Sequence, residues 1–196
     1  MQALEAPYLE ASFWHVIRKR GGWLSLLLVG EMATASTMAV FEDEIARAVV
    51  LALFVPLIIS SGGNSGSQAS TLVVRAMALG QLRLRDWWRV VRRELTAGLA
   101  LGALLAVIGF IRIEAWEGMF HVYGEHHLAI AVTVAASLLG VVAVGTLAGA
   151  ALPLVLQRVG LDPASASAPL VATLVDVTGI AIYFGVASII LSGKLL

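Results

Sequence analysis

Long apolar stretches separated by short polar connections make up most of the 196-residue chain. The apolar stretches fall at residues 21–40, 48–74 and 95–111, within the uncharged residues 126–157, and at residues 163–193. An α-helix needs about 20 predominantly apolar residues to cross a hydrocarbon core of about 30 Å. Each stretch is long enough for one crossing, or nearly so, and the pattern therefore predicts five transmembrane helices.

Three segments depart from this pattern. Residues 1–20 mix charged and apolar side chains, which predicts an amphipathic interfacial helix ahead of the five crossings in residues 21–196. Residues 81–94 interleave arginines with apolar residues that include Trp87 and Trp88, which predicts a second helix lying on the membrane surface. The polar and glycine-rich run over 60–68 interrupts the second stretch, so we expect that helix to be breakable.

Composition supports an all-α integral membrane protein. Hydrophobic residues make up 59% of the chain, charged residues only 13%, and the mean hydropathy is +0.91. The absence of cysteine excludes disulfides, thiolate metal sites and thiol nucleophiles. Formal net charge is zero and no segment is basic enough for a nucleic-acid surface, so we expect no nucleic-acid partner.

The distribution of basic residues predicts the orientation. With five crossings, ten of the thirteen lysines and arginines fall on one side, and only Arg47, Arg112 and Lys194 fall on the other. Cytoplasmic connections of membrane proteins are enriched in lysine and arginine. We therefore expect the N-terminus in the cytoplasm and the C-terminus outside.

Asp176 is the first candidate functional residue, because it lies well inside the last apolar stretch. A carboxylate there costs about 2.5–3.5 kcal/mol on insertion scales, and such residues usually serve transport or binding. Ala172 and Thr173 precede it by four and three positions, on the same helical face. The alternative is that Asp176 only holds helices together, by pairing with Arg75 or with nearby hydroxyls.

The polar run in the second stretch is the next candidate. Asn64, Ser65 and Gln68 offer amide and hydroxyl groups to a hydrated cation, and Gly63 is among the glycines that let helices approach or unwind. A packing seam bonded by the same polar groups is an equally good explanation. The Gly-x-Ser-Gly form of residues 63–66 matches rhomboid-type intramembrane proteases, but all four histidines lie outside the predicted crossings, so we expect no enzyme activity.

Two acidic positions are secondary candidates. Glu31 in the first stretch is expected either to face a cavity or to be satisfied by the hydroxyls of Thr34 and Ser36. Glu42 opens an acidic cluster in the exterior loop, where it would raise the local cation concentration or simply be solvated. Histidines and glutamates over 117–127 match no standard metal-ligand spacing.

The sequence from Val55 to Gln68, followed by Arg75 to Gly80, resembles the transmembrane domain of the MgtE magnesium transporter family. The resemblance continues in Phe41-Glu42, in Arg93-Glu94, in Asp162-Pro163-Ala164 and in the run from Pro169 to Gly179. It therefore covers nearly the whole chain.

This resemblance implies a homodimer in the lipid bilayer of the bacterial inner membrane, with five helices per subunit and a pore along the two-fold axis. It implies Mg²⁺ as the transported ion, with Mn²⁺, Co²⁺ or Ca²⁺ as alternatives. The family's pore aspartate falls on Asp176, and the carbonyl one turn earlier falls on Ala172. Ala168 replaces a small polar residue of that motif. Full-length members also carry a cytoplasmic helical domain and a paired CBS domain, neither of which we expect in this chain.

The leading hypothesis is a dimeric channel in which Asp176 binds hydrated Mg²⁺ through its water shell, driven by the electrochemical gradient. Two other classes remain open. A proton-coupled exporter or antiporter would use Asp176 or Glu31 as the titrating group, and a non-conducting scaffold would use the polar residues only to join helices.

Overall fold

The computed structural model describes residues 12–193 and 195, apart from the side chains of residues 19, 165 and 166. Within this part of the chain every regular element is helical. The α-helices are α1 (Phe13–Val40), α2 (Glu42–Arg47), α3 (Val55–Ala78), α4 (Trp87–Phe120), α5 (His127–Arg158) and α6 (Pro163–Ile190). Short 3-10 helices precede α3, α4 and α5, at Val49–Phe54, Leu84–Asp86 and Gly124–His126. Five segments are long and apolar enough to cross a membrane, which confirms the predicted all-α class.

The first crossing is longer than the sequence pattern predicts. Helix α1 begins at Phe13 and continues without a break through Gly21 and Gly22 to Val40. Residues 13–20 therefore extend the crossing helix, and they do not form a separate interfacial helix. Residues 1–11 of that predicted interfacial helix lie outside the described residues.

The predicted surface helix over 81–94 is also different in the structure. Helix α4 starts at Trp87 and runs continuously to Phe120, so the arginine-rich segment is the first part of the third crossing. Val90 explains why, because it is buried in a cluster with Val73 of α3 and Leu154 of α5. This packing holds the start of α4 in the bundle, while Trp87 and Trp88 remain exposed.

Helix α3 runs unbroken through the polar run, because that run is a close contact between helices. A Cβ atom on Gly66 would lie 2.6 Å from the carbonyl oxygen of Gly145 on α5, and a Cβ on Gly149 would collide with the carbonyl of Gly66. Only glycine permits such an approach of two backbones. The packing interpretation is therefore confirmed for this side of α3.

Helix α5 is at the centre of the bundle and packs against α3, α4 and α6. The α4 contact uses Gly98 and Gly102, as their spacing predicts: a Cβ on Gly98 would lie 3.1 Å from Ala143, and one on Gly102 would lie 2.9 Å from the carbonyl oxygen of Leu139. Short connections of a few residues join α3 to α4, α4 to α5 and α5 to α6, so consecutive crossings run in opposite directions.

Helix α6 begins with the predicted cap, since the Asp162 side chain accepts a hydrogen bond from the N–H of Ala164 at 3.0 Å and Pro163 is the first helical residue. Its buried residues Val171 and Val175 face α3. Helix α1 lies on the outside of the bundle against α6, and no described side chain of α1 is buried. One side of α6 is therefore bordered by α3 and by α1.

Candidate ion-binding surface

Asp176 lies midway along the last crossing, thirteen residues after Pro163 and fourteen before Ile190. Its side chain is half-buried. No lysine or arginine of the described part of the chain forms a salt bridge with it, and Arg75 is exposed near the end of α3. The predicted alternative of an Asp176–Arg75 pair is therefore absent from the described residues. A carboxyl group at this depth without a basic partner is suited to a cation.

Glu31 of α1 is the nearest acidic neighbour of this position. Thr173 Oγ1 donates a hydrogen bond to Glu31 Oε1 at 3.3 Å, which brings Glu31 close to the carboxyl group of Asp176. The two helices are so close here that a Cβ on Gly30 would collide with the methyl group of Thr173. This contact places a second acidic side chain beside the face of α6 that carries Thr173 and Asp176.

The partners of Glu31 differ from those expected. Ser36 Oγ donates to the carbonyl of Met32 at 3.0 Å, and the buried Thr34 Oγ1 has no hydrogen-bond partner among the described residues. The hydroxyl that Glu31 binds comes instead from α6. Periodicity within one helix cannot reveal this contact, because the two residues are 142 positions apart.

Ala172 offers a backbone oxygen on the same turn. Helix α6 is regular here, so the Ala172 carbonyl accepts the N–H of the residue four positions later, which is Asp176. A carbonyl oxygen has two lone pairs, and the second remains for a ligand. Ala172, Thr173 and Asp176 therefore present three kinds of oxygen within five residues.

A polar strip follows the side of α3 that faces away from α5. Asn64 and Gln68 are exposed, Asn64 Nδ2 donates to Ser60 Oγ at 3.3 Å, and Thr71 Oγ1 donates to the carbonyl of Ser67 at 2.9 Å. The strip borders a groove of about 530 Å³, lined by Asn64, Ser67, Gln68, Thr71 and Leu72. The spacing of 64, 67, 68 and 71 is that of one helical face, so Ser67 and Thr71 could have been found from the sequence.

The other two candidates on α3 have different surroundings. Ser65 is buried, and its hydroxyl is 2.6 Å from that of Thr146 on α5. Its position is in the helix contact, away from the polar strip, so the expectation that it lines a pore does not fit the structure. Gly63 has open space where a side chain would be.

The acidic and histidine residues on α2, near the end of α4 and at the start of α5 do not converge on a metal site. Glu42 is exposed in the first turn of α2. Glu117 Oε2 accepts the N–H of Tyr123 at 2.6 Å, and His127 Nδ1 lies 3.0 Å from Glu114 Oε1. Among the described residues, no group of three or more His, Asp or Glu side chains is arranged to hold a metal ion.

Five membrane-spanning helices define a multi-pass membrane protein. Midway along the last lies a carboxyl group without a basic partner among the described residues, and the second carries a polar strip, so this surface is suited to cations. The sequence model of the MgtE family, described as a divalent cation transporter, matches residues 55–186. The chain belongs to the MgtE family.

Curated relatives extend the match to almost the whole chain. It is similar to the magnesium transporter MgtE of Thermus thermophilus, with 41% identity over 192 residues, which cover 96% of this chain and 41% of the relative. It is 33% identical over 170 residues to that of Enterococcus faecalis and 32% identical over 170 residues to that of Bacillus subtilis, which covers 87% of this chain and 36% of the relative in each case. The chain thus spans about two fifths of their length.

Proposed function

We propose that this chain forms the pore of a divalent cation transporter, through which hydrated Mg²⁺ crosses the membrane down its electrochemical gradient. One observation carries the proposal: Asp176 lies at the middle of α6 without a salt bridge to any described basic residue. A permeating dication is the partner that this carboxylate lacks. All three relatives are named as magnesium transporters, which favours Mg²⁺ over other divalent ions.

The functional unit is a homodimer. In a single chain the amides of Asn64 and Gln68 would lie open along a membrane-spanning helix. Polar groups at this depth are rare unless they face protein or water. A second copy placed against the same strip would cover it, enclose an aqueous path and bring two Asp176 carboxylates to one axis, which balances the charge of one dication.

Mg²⁺ loses its octahedral water shell reluctantly, so the site binds the hydrated ion through its waters. Three groups of α6 accept hydrogen bonds from these waters or orient them: the Asp176 carboxylate, the Ala172 carbonyl and the Thr173 hydroxyl. The amides of the α3 strip extend the path. Charge density then favours a dication over monovalent ions. A membrane potential of 100 mV provides about 4.6 kcal/mol of drive for a dication, twice the value for a single charge.

Glu31 acts as a second carboxylate of the same site. It is linked to Thr173 by a hydrogen bond and interacts directly with Asp176. Residues that orient the groups around a metal ion typically change its affinity by about 10- to 100-fold when they are replaced. We therefore expect Glu31→Gln, which keeps an acceptor for Thr173 but removes the charge, to weaken Mg²⁺ binding by this factor.

The orientation follows from the basic residues. The end of the bundle where α3 and α5 finish and where α4 and α6 start carries the arginines of 75–93 and Arg158. The positive-inside rule assigns this end to the cytoplasm of the inner membrane, so the N-terminus of α1 is cytoplasmic and α6 ends outside.

Uptake of Mg²⁺ into proteoliposomes tests the proposal, with membrane potential and pH gradient set independently. We expect wild-type flux to follow the potential and Asp176→Asn to abolish it while the protein remains folded. Asp43→Asn is the matched control, since Asp43 is exposed on α2 and lies outside the crossings.

Three results would contradict this. Flux that requires a pH gradient would indicate a proton-coupled carrier. Equal flux and equal Mg²⁺ binding in wild type and Asp176→Asn would remove Asp176 from the ion path, and the absence of both flux and binding from the wild type would leave a scaffold.

A further inference from the structure

A cavity of about 570 Å³ opens at the end of the bundle where α5 finishes and α4 starts, away from Asp176. Two arginines and a tryptophan share its wall with three aliphatic residues. The lining residues are Leu84, Arg85, Trp87, Leu154, Val155 and Arg158.

The two arginines of this cavity have no anionic partner within the described part of the chain. Arg85 lies in the 3-10 helix before α4 and Arg158 is the last residue of α5, both exposed, and neither forms a salt bridge or a side-chain hydrogen bond there. The carboxylate nearest to Arg85 in sequence, Asp86, is already engaged by the N–H of Arg83 at 3.1 Å and by Arg89 at 3.8 Å. The one nearest to Arg158, Asp162, accepts the N–H of Ala164 at 3.0 Å. Two guanidinium groups that share one cavity form a site for an anion with several oxygens.

The other walls indicate what kind of anion this is. Val155 is 49% exposed and Leu84 is 43% exposed, and both present apolar surface beside the charged groups. Trp87 is 47% exposed at the same level, where a crossing helix begins, and tryptophan is enriched at the membrane–water interface. A small inorganic anion would leave this apolar surface unused.

We propose that this cavity binds an anionic glycerophospholipid. Arg85 and Arg158 bind the headgroup phosphate, Trp87 lies at the level of the glycerol backbone, and one acyl chain follows Leu84 and Val155 toward the bilayer. Basic pockets between membrane helices on the cytoplasmic side are typical sites for anionic headgroups. The site joins the start of α4 to the end of α5, so the lipid would fasten these two helices together.

Native mass spectrometry of the full chain in mild detergent tests this, with phosphatidylglycerol, phosphatidylcholine and inorganic phosphate as separate probes. We expect tighter retention of phosphatidylglycerol than of phosphatidylcholine and no displacement by millimolar phosphate. One basic residue near an anionic membrane surface contributes about fivefold in affinity. Arg85→Gln and Arg158→Gln should therefore each weaken retention about fivefold, and the double variant should weaken it more than either single variant.

Arg92→Gln is the control, because it removes the same charge from an exposed position of α4 outside the cavity. In vesicles, phosphatidylglycerol with brominated acyl chains should quench the tryptophan fluorescence of the wild type more than that of Trp87→Phe. This contribution of Trp87 to the quenching should be smaller when both arginines are replaced. Equal retention in wild type and double variant would overturn the proposal. Equal retention of phosphatidylcholine, or displacement by inorganic phosphate, would overturn it as well.

Discussion

The two sides of α3 carry similar residues but have opposite surroundings. On one side Gly62, Ser65 and Gly66 are buried, with Gly66 against the backbone of α5. On the other side Asn64 and Gln68 are exposed beside an open groove. Both sides come from one polar and glycine-rich run of nine residues, from 60 to 68.

The difference shows that a polar residue in a membrane helix has two separate uses. On the closed side the buried hydroxyl of Ser65 already has a partner inside the protein, the hydroxyl of Thr146. On the open side the amides have no partner on another helix among the described residues, so they need water, a second chain or an ion. The closed side contributes packing stability, and the open side is where we propose the transport path.

Gly66→Ala should have the largest effect on this comparison. The added Cβ would lie 2.6 Å from the carbonyl oxygen of Gly145, and a backbone atom cannot move aside as a flexible side chain can. Overpacking of this kind costs about 1–3 kcal/mol, and we expect the upper end here. Thermal unfolding in mild detergent and size-exclusion chromatography measure the loss.

Gly63→Ala is the matched control, because the same substitution three positions earlier meets nothing within 4 Å. It should leave the unfolding temperature of the wild type nearly unchanged or slightly raised, since alanine is the better helix former. An equal loss of stability in both variants would mean that helix propensity, and not the α3–α5 contact, decides the effect.

Gln68→Leu should separate transport from folding on the open side. The side chain is exposed, so its loss leaves the described packing intact. A hydrogen bond to a charged group contributes about 1.5–3 kcal/mol, so Mg²⁺ affinity in proteoliposome uptake should fall about tenfold or more. Gln157→Leu, the same change at an exposed position near the end of α5, should leave uptake unchanged. A folding defect without any change in flux would place Gln68 in a packing contact.

The helical class, the five crossings and the cap at Asp162 could be predicted from hydropathy and local pattern, because these depend on residues close in sequence. The lengths of α1 and α4 could not. Local pattern assigns the arginine-rich start of α4 to the membrane surface, whereas the burial of Val90 against α3 and α5 extends the crossing. Tertiary packing decides such boundaries.

The candidate site also contains residues that the sequence alone identifies and residues whose role depends on tertiary contacts. Asp176 stands out because a charge inside an apolar stretch is visible in any single sequence. The pairing of Glu31 with Thr173, and the assignment of Ser65 to the closed side, depend on which helices are neighbours. Until the partner helix is known, the sequence of a polar run does not show which of its residues face that helix and which face away from it.

The Ser65–Thr146 pair gives a smaller, asymmetric test of the closed side. Thr146 Oγ1 donates its own hydrogen to the carbonyl of Val142 at 2.7 Å, so Ser65 is the donor in their contact. Ser65→Ala removes this hydrogen bond but leaves no donor without a partner, and should cost about 1 kcal/mol of unfolding free energy. Thr146→Val should cost more, because it leaves the buried Ser65 hydroxyl without its acceptor. Equal costs would contradict this direction of donation, and neither variant should alter Mg²⁺ flux per folded protein.

Glu42→Gln should have the smallest effect, because Glu42 is exposed on α2, at the outer end of the bundle and away from both sides of α3. Its charge contributes only to the potential that attracts cations before they reach the groove. At low ionic strength the rate of Mg²⁺ entry at subsaturating concentration should fall slightly, and at about 0.15 M salt the difference should disappear, since the Debye length is then about 8 Å. A loss that persists at high salt and at saturating Mg²⁺ would instead place Glu42 in direct contact with the ion, and the open side of α3 would no longer be the only polar surface that the path requires.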